Sequence, residues 1–118
     1  MTVTFRPVQA EDKSQWLALW QGYCGFYASS VPADVTEHTW QRMLDPQSPI
    51  FCRVALVEGQ LAGFALCVLH EGTWVTAPIC YLEDLFVDPA FRGNGVARSL
   101  IQFVLNEGKE QGWSRFYW

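Results

Sequence analysis

Residues 81 to 100 read YLEDLFVDPAFRGNGVARSL, and the residue types with the most chemical potential gather there. Two adjacent acids, Glu83 and Asp84, interrupt an apolar, strand-like run. A Pro/Gly stretch follows, carrying Arg92, Gly93, Asn94, Gly95, Val96, Ala97 and Arg98, and the pattern then restarts as a helix. Backbone N–H groups at a helix start lack intrahelical acceptors and, with the helix dipole, bind anions. Gly93 and Gly95 let the backbone approach a phosphate with no Cβ in the way. Arg92 and Arg98 can add charge-assisted hydrogen bonds. The loop therefore supports a phosphate or pyrophosphate cradle, although a G-x-G alone also fits a plain tight turn.

Two familiar phosphate loops do not match. A Walker A loop ends in Lys-Ser/Thr, whereas this one runs Val-Ala-Arg-Ser. A dinucleotide fingerprint needs G-x-G-x-x-G, and Arg98 stands at its last glycine. As for the acids, a carboxylate in an apolar run is costly to bury, so each should have a partner or a use. Alternation places Glu83 with Tyr81, Leu85 and Val87 on one face, and Asp84 with Leu82 and Phe86 on the other, unless a bulge re-aims them. Asp84 is expected to pair with an arginine or a turn N–H and fix the strand, and it is also a candidate substrate contact. Aliphatic amines are mostly protonated near neutral pH, and a carboxylate whose pKa is raised by apolar burial can take such a proton.

The elements that must position these residues follow from periodicity. Val3 to Val8 reads as a strand. Asp12 and Gln15 have capping-box spacing, and Trp16, Trp20, Tyr23 and Tyr27 recur on one helical face. Thr36 is the expected cap of a short helix carrying Trp40, Met43 and Leu44, which "DPQSP" ends. Two strands around Gly59 form a hairpin, residues 71 to 78 a loop, and Ile79 to Val87 a further strand. Val96, Leu100, Phe103 and Val104 share a helical face, Gly112 is a natural C-cap, and "SRFYW" opens a last strand. The order β-α-α-β-β-β-α-β is that of an α+β, or mixed α/β, domain spanning residues 1–118.

Composition narrows the partners. Half of the 118 residues are hydrophobic and the formal net charge is −4. No basic stripe exists, so nucleic acid is not an expected partner. No apolar run approaches the roughly 18 residues of a membrane span. The start "MTVTFRPVQAEDK" lacks an apolar leader core. Cys24, Cys52, Cys67 and Cys80 lie far apart and read as free thiols of a reducing, cytoplasmic protein. His38 and His70 are isolated, so no metal is expected. Tyr23 and Tyr27 with Phe26, and Trp74 in the loop before the key strand, are candidate acceptor-site aromatics, since aromatic faces hold alkylammonium groups. Read as packing alone, the helical aromatics are core.

The string R-G-N-G-V-A resembles the Arg/Gln-x-x-Gly-x-Gly/Ala pattern of the GNAT superfamily of acetyl-CoA-dependent N-acetyltransferases. The order of elements is similar to that fold from its first strand to its fifth. The longer string CYLEDLFVDPAFRGNGVARSLIQFV looks like the yeast histone and polyamine acetyltransferases and the spermidine/spermine acetyltransferases, which share a YLED strand. The resemblance implies acetyl-CoA as cosubstrate. Its pyrophosphate would lie on the N–H groups of Asn94, Gly95, Val96 and Ala97, with Arg92 opening the loop. The pantetheine arm would pair with Leu85, Phe86 and Val87, where a backbone N–H would polarise the thioester carbonyl. Glu83 would be the general base for direct attack by a primary amine, such as a polyamine, a small amine or a lysine-like group. A homodimer is the expected assembly.

The resemblance also implies a further helix and two strands beyond the fifth strand, the helix carrying a tyrosine that protonates the departing thiolate. The chain is therefore expected to lack the last helix and strands and to leave an apolar edge uncovered at "RFYW". Two rival readings stay open. One is a CoA-binding or protein-interaction module that has lost the C-terminal catalytic part. The other is a nucleotide-binding domain using the same glycine loop.

Overall fold

The computed structural model describes residues 1–118. A first strand, β1 (Val3–Pro7), leads through a 3-10 turn at Ala10–Asp12 into α1 (Lys13–Phe26), and α2 (Ala33–Leu44) follows. Next come β2 (Ile50–Val57), β3 (Gln60–His70) and β4 (Ile79–Val87). A 3-10 turn at Pro89–Phe91 then leads to α3 (Val96–Gln111) and β5 (Arg115–Tyr117). The sheet order is β1-β2-β3-β4-β5. The first four strands are antiparallel in turn, and β5 lies parallel to β4, as a helical crossover requires.

The helices cover both faces of this sheet. Trp16, Leu19 and Trp20 of α1 and Trp40 and Met43 of α2 pack with Val54, Phe64, Leu66 and Phe86 on one face. Val96, Leu100 and Val104 of α3 pack with Ala55, Ala65, Cys67, Cys80 and Leu82 on the other. The alternation of β2 and β3 between these clusters gives them apolar residues on both sides, the mark of central strands. Arg53 of β2 grips Glu107 of α3 with two bonds of 2.8 and 2.6 Å, and so fixes the helix that begins at the glycine loop.

Local chemistry explains the joints. Glu58 (φ 51°) and Gly59 (φ 80°) form a two-residue hairpin turn in the left-handed region. Gly63, opposite Val87, would bring a Cβ within 2.7 Å of the Phe86 carbonyl, so only glycine lets β3 and β4 approach there. Gly112 (φ 77°) caps α3 as expected. All four cysteines are free thiols.

Three expectations are corrected. Asp12 stands at the N-cap of α1, but its side chain closes the preceding 3-10 turn: it accepts from the Gln9 N–H at 2.8 Å and from Arg6 at 2.7 and 3.0 Å. Gln15 instead accepts from Leu61 N. Thr36 sits inside α2, not at its cap, and its hydroxyl accepts from Trp20 Nε1 at 3.2 Å. The half-covered sheet expected at "RFYW" is not borne out either, although β5 is the outermost strand, its far edge is unpaired, and Tyr117 and Trp118 are exposed. Phe116 of β5 packs against the α3 cluster, and both faces of the sheet carry filled cores.

The Asp12 cluster has a consequence for stability. Burial alone would push its carboxyl up, but the Arg6 fork and the Gln9 N–H outweigh it and hold it below its ordinary value of 3.8. A depressed pKa stabilises the fold above the unfolded value and is lost as pH falls through the folded one. The urea midpoint of the wild type should therefore decline below about pH 4 more steeply than that of Asp12→Asn. Parallel declines would show that Asp12 adds nothing to acid sensitivity.

Candidate active site

The register between β3 and β4 slips where the two acids stand. Leu66 pairs with Asp84 and Cys67 with Leu82, so Glu83 is an extra residue on β4. This is a β-bulge, which kinks the strand and re-aims side chains. Its effect is a reversal of faces. Leu82 points to the α3 cluster, whereas Phe86, an even number of residues later, points to the α1 cluster. Asp84 therefore does not share a face with Leu82, and Val87 packs with the α3 cluster. The plain alternation of the sequence reading breaks here, at a bulge which that reading allowed for.

The two carboxylates have different surroundings. Glu83 is exposed. Asp84 is half-buried and accepts a 2.7 Å hydrogen bond from the Tyr23 hydroxyl of α1. Its partner is thus a phenol 61 residues away, not the arginine or turn N–H expected from sequence. Burial pushes the Asp84 carboxyl up, the Tyr23 bond pulls it down, and the neighbouring Glu83 charge pushes it up again, for a net rise. The environment that tunes a carboxyl toward neutral pH is found at Asp84.

The glycine loop is a built structure. Asp88 caps the turn by accepting from Ala90 N at 2.9 Å, and Asn94 Nδ2 donates to the Phe91 and Arg92 carbonyls. Gly93 (φ 83°) and Gly95 (φ 73°) adopt the left-handed conformation, and Gly95 is the N-cap of α3. The N–H groups of Gly93, Asn94, Gly95, Val96, Ala97 and Arg98 donate to no backbone or side-chain acceptor. A Cβ built on Gly93 or Gly95 meets no protein atom within 4 Å, so the space over the loop is clear. Unpartnered, converging N–H groups at the start of a 16-residue helix fit a pyrophosphate.

The two arginines differ in use. Arg98 is exposed on the first turn of α3 and has no ion-pair partner. Arg92 donates Nε–H to the Val87 carbonyl at 3.0 Å, and its guanidinium lies over Phe86 and Phe26 at 5.3 and 5.7 Å. It links the end of β4 to the end of α1.

These parts converge. Tyr23, Phe26 and Tyr27 of the α1 end, Leu85, Phe86 and Val87 of β4, Arg92 and Ala97 line one cleft of about 290 Å³. Beyond Tyr81, β4 pairs with β3 alone, because β5 meets it only at Ile79, Cys80 and Tyr81. The open edge of β4 thus runs from the bulge to the cradle. Trp74 does not join this cleft: it is 93% exposed in the loop at the far end of β4. Sequence reasoning missed the Tyr23–Asp84 bond and the part Phe26 plays against Arg92. The only signal was the aromatic stripe of α1, which does not reveal its partners.

A bulged strand with an open edge, ending in an anion cradle at a helix start, suits a ligand that carries both a phosphate group and an extended arm. The chain belongs to the acetyltransferase (GNAT) family, whose sequence profile matches residues 14–118. It is 30% identical over 118 residues to the D-amino-acid N-acetyltransferase of Saccharomyces cerevisiae, covering 98% of this chain and 73% of the yeast protein. Among solved structures, the ribosomal-protein-alanine N-acetyltransferase of Brucella melitensis superposes with a TM-score of 0.83 at 20% identity, covering 99% of this chain and 79% of that one. An aminoglycoside N-acetyltransferase in complex with CoA superposes at 0.80 with 23% identity, covering 98% and 75%. At those identities the likeness is one of fold: an α+β acyltransferase fold with a mixed five-stranded sheet and three helices.

Proposed function

We propose that this chain transfers acetyl from acetyl-CoA to a primary amine bound at the β4 bulge. The observation that carries the reading is the continuity of the open β4 edge with the unpartnered N–H groups of the glycine loop. Asn94, Gly95, Val96 and Ala97 would hold the pyrophosphate, and the Leu85 to Val87 edge would pair with the amide-bearing arm. Bound there, acetyl-CoA supplies an acyl group activated as a thioester.

Glu83, exposed on the bulge, is the candidate that removes the amine proton, directly or through water. Asp84 adds a second negative charge beside it. Two adjacent carboxylates suit a cationic acceptor such as a polyamine, a small amine or a lysine-like group, in line with the YLED resemblance. D-amino acids and aminoglycosides, named for the yeast relative and for one structural neighbour, belong in the same panel. The reading extends to a cytoplasmic homodimer that needs no metal.

The test is a thiol-release assay with acetyl-CoA against polyamines, D-amino acids, aminoglycosides and lysine peptides. CoA binding without turnover on any of them would favour a non-catalytic module instead. Within that assay, Glu83→Gln should lower turnover about a hundredfold, most severely at low pH where the amine is protonated, with CoA affinity nearly unchanged. Equal turnover across pH rejects Glu83 as the base.

A further inference from the structure

Tyr23 occupies an unusual place for a phenol. Its ring packs against Trp20, Tyr27, Phe64 and Phe86, with centroids 5.6, 5.1, 6.0 and 6.0 Å away. Its hydroxyl emerges from this aromatic wall at the bulge and donates to Asp84 Oδ1. Asp84 has no cation partner, since the ion pairs of the chain are Arg6–Asp12, Lys13–Glu37 and Arg53–Glu107. No protein donor reaches its other oxygen, Oδ2. A half-buried carboxylate with one oxygen engaged and no counter-charge is costly to keep.

We propose that Tyr23 is a positioning residue whose phenol holds Asp84 ionised and aimed, so that Oδ2 takes the ammonium group of the acceptor. The inference rests on the amine-transfer reading above and adds to it the device that presents the anion. The phenol stays a donor, because burial first and the hydrogen bond to Asp84 second raise its pKa far out of the working range. The titratable groups that act on Asp84 are few. Tyr23 and the Cys24 thiol come from α1, the buried Cys52 thiol from β2, and Glu83 from its own strand. None is cationic, so nothing in the protein competes with an incoming ammonium. Half-buried Cys24 and buried Cys52 are pushed up and remain neutral thiols. The charge-assisted bond from Tyr23 is the one protein contact that favours the ionised form.

The test uses Tyr23→Phe, which keeps the ring packing and removes only the hydroxyl. Spermidine is the probe, and the carboxyl carbon resonance of Asp84, assigned through Asp84→Asn, is the readout. Two results are expected in Tyr23→Phe. The Asp84 titration midpoint should move to higher pH, since a bond that favours the charged form is gone. Spermidine should displace the resonance only at about tenfold higher concentration, roughly the worth of one hydrogen bond to a charged group. The KM for spermidine in turnover should rise in parallel while the KM for acetyl-CoA stays put. An unmoved midpoint, or equal spermidine concentrations in the two proteins, overturns the proposal. Both resonance readouts are independent of turnover. A wild type that binds spermidine at Asp84 yet acetylates nothing would reject the function while leaving this inference standing. Should Tyr23→Phe fail to fold, Asp84→Asn decides. It keeps an acceptor oxygen for the phenol but no charge, and undiminished spermidine binding, followed at Glu83, would overturn the proposal.

Discussion

Gly95→Val should reduce CoA affinity by about a hundredfold or more, measured by calorimetry, while the chain stays folded. Gly95 holds φ at 73° as the cap of α3, a conformation in which a β-branched residue is a true outlier. Forcing an L residue into it costs about 1–2 kcal/mol, which the fold can bear. Relaxing that strain swings the Gly95 peptide, and with it the N–H groups of Gly95 and Val96, out of the converging set. The new side chain also stands in space that the protein leaves clear, where the pyrophosphate would approach. Both effects fall on the ligand and neither on the core. Undiminished affinity for CoA would dismiss the loop as a mere tight turn.

Trp16→Ala should cost about 3–5 kcal/mol of folding stability, read from urea unfolding, out of a total of about 5–15 kcal/mol for a domain of this kind. Trp16 has no exposed surface. Its ring stacks on Trp20 and lies tilted against Trp40, both at 5.3 Å, and meets Phe64 edge-on at 6.2 Å, so it joins α1, α2 and β3. Removing it opens a large void among rigid aromatic neighbours. Trp16→Phe should be much milder, because the indole N–H has no hydrogen-bond partner to lose. A loss under about 1 kcal/mol for the alanine variant would mean that the helices close over the gap and that the aromatic stack is not what holds them.

Much of this architecture was legible because local chemistry and global fold agree at those places. The bounds of β4, the hairpin at Gly59, the span of α3 and its cap at Gly112 each rest on signals a few residues long. The glycine loop was legible for the same reason, since phosphate cradles are written in consecutive residues. A bulge among the acids was allowed for, but its place at Glu83 was not legible. Both faces of a central strand are apolar, so its alternation carries no mark of a slipped register. The Tyr23–Asp84 bond was hidden for a different reason. It joins residues 61 positions apart whose meeting depends on how α1 lies across β4, and the aromatic stripe alone reads as core. Thr36 looked like a cap because short polar residues favour caps, but the Trp20 indole offers it a buried partner inside the helix.

The parting of β4 and β5 after three residue pairs gives the molecule a strand edge in its interior. Proteins ordinarily blunt such edges at the border of a sheet with charge, proline or a short strand, because unpaired backbone invites another chain to add on. Here the remaining part of β4 is left without a strand partner between the bulge and the cradle, with Arg92 donating to the Val87 carbonyl at its end. A small ligand bearing amides would then act as the missing strand and as the shield for that edge. The price of a socket for an extended cofactor is a built-in site of self-association, with Tyr117 and Trp118 exposed beside it. Saturation with CoA should for this reason favour solubility as much as catalysis.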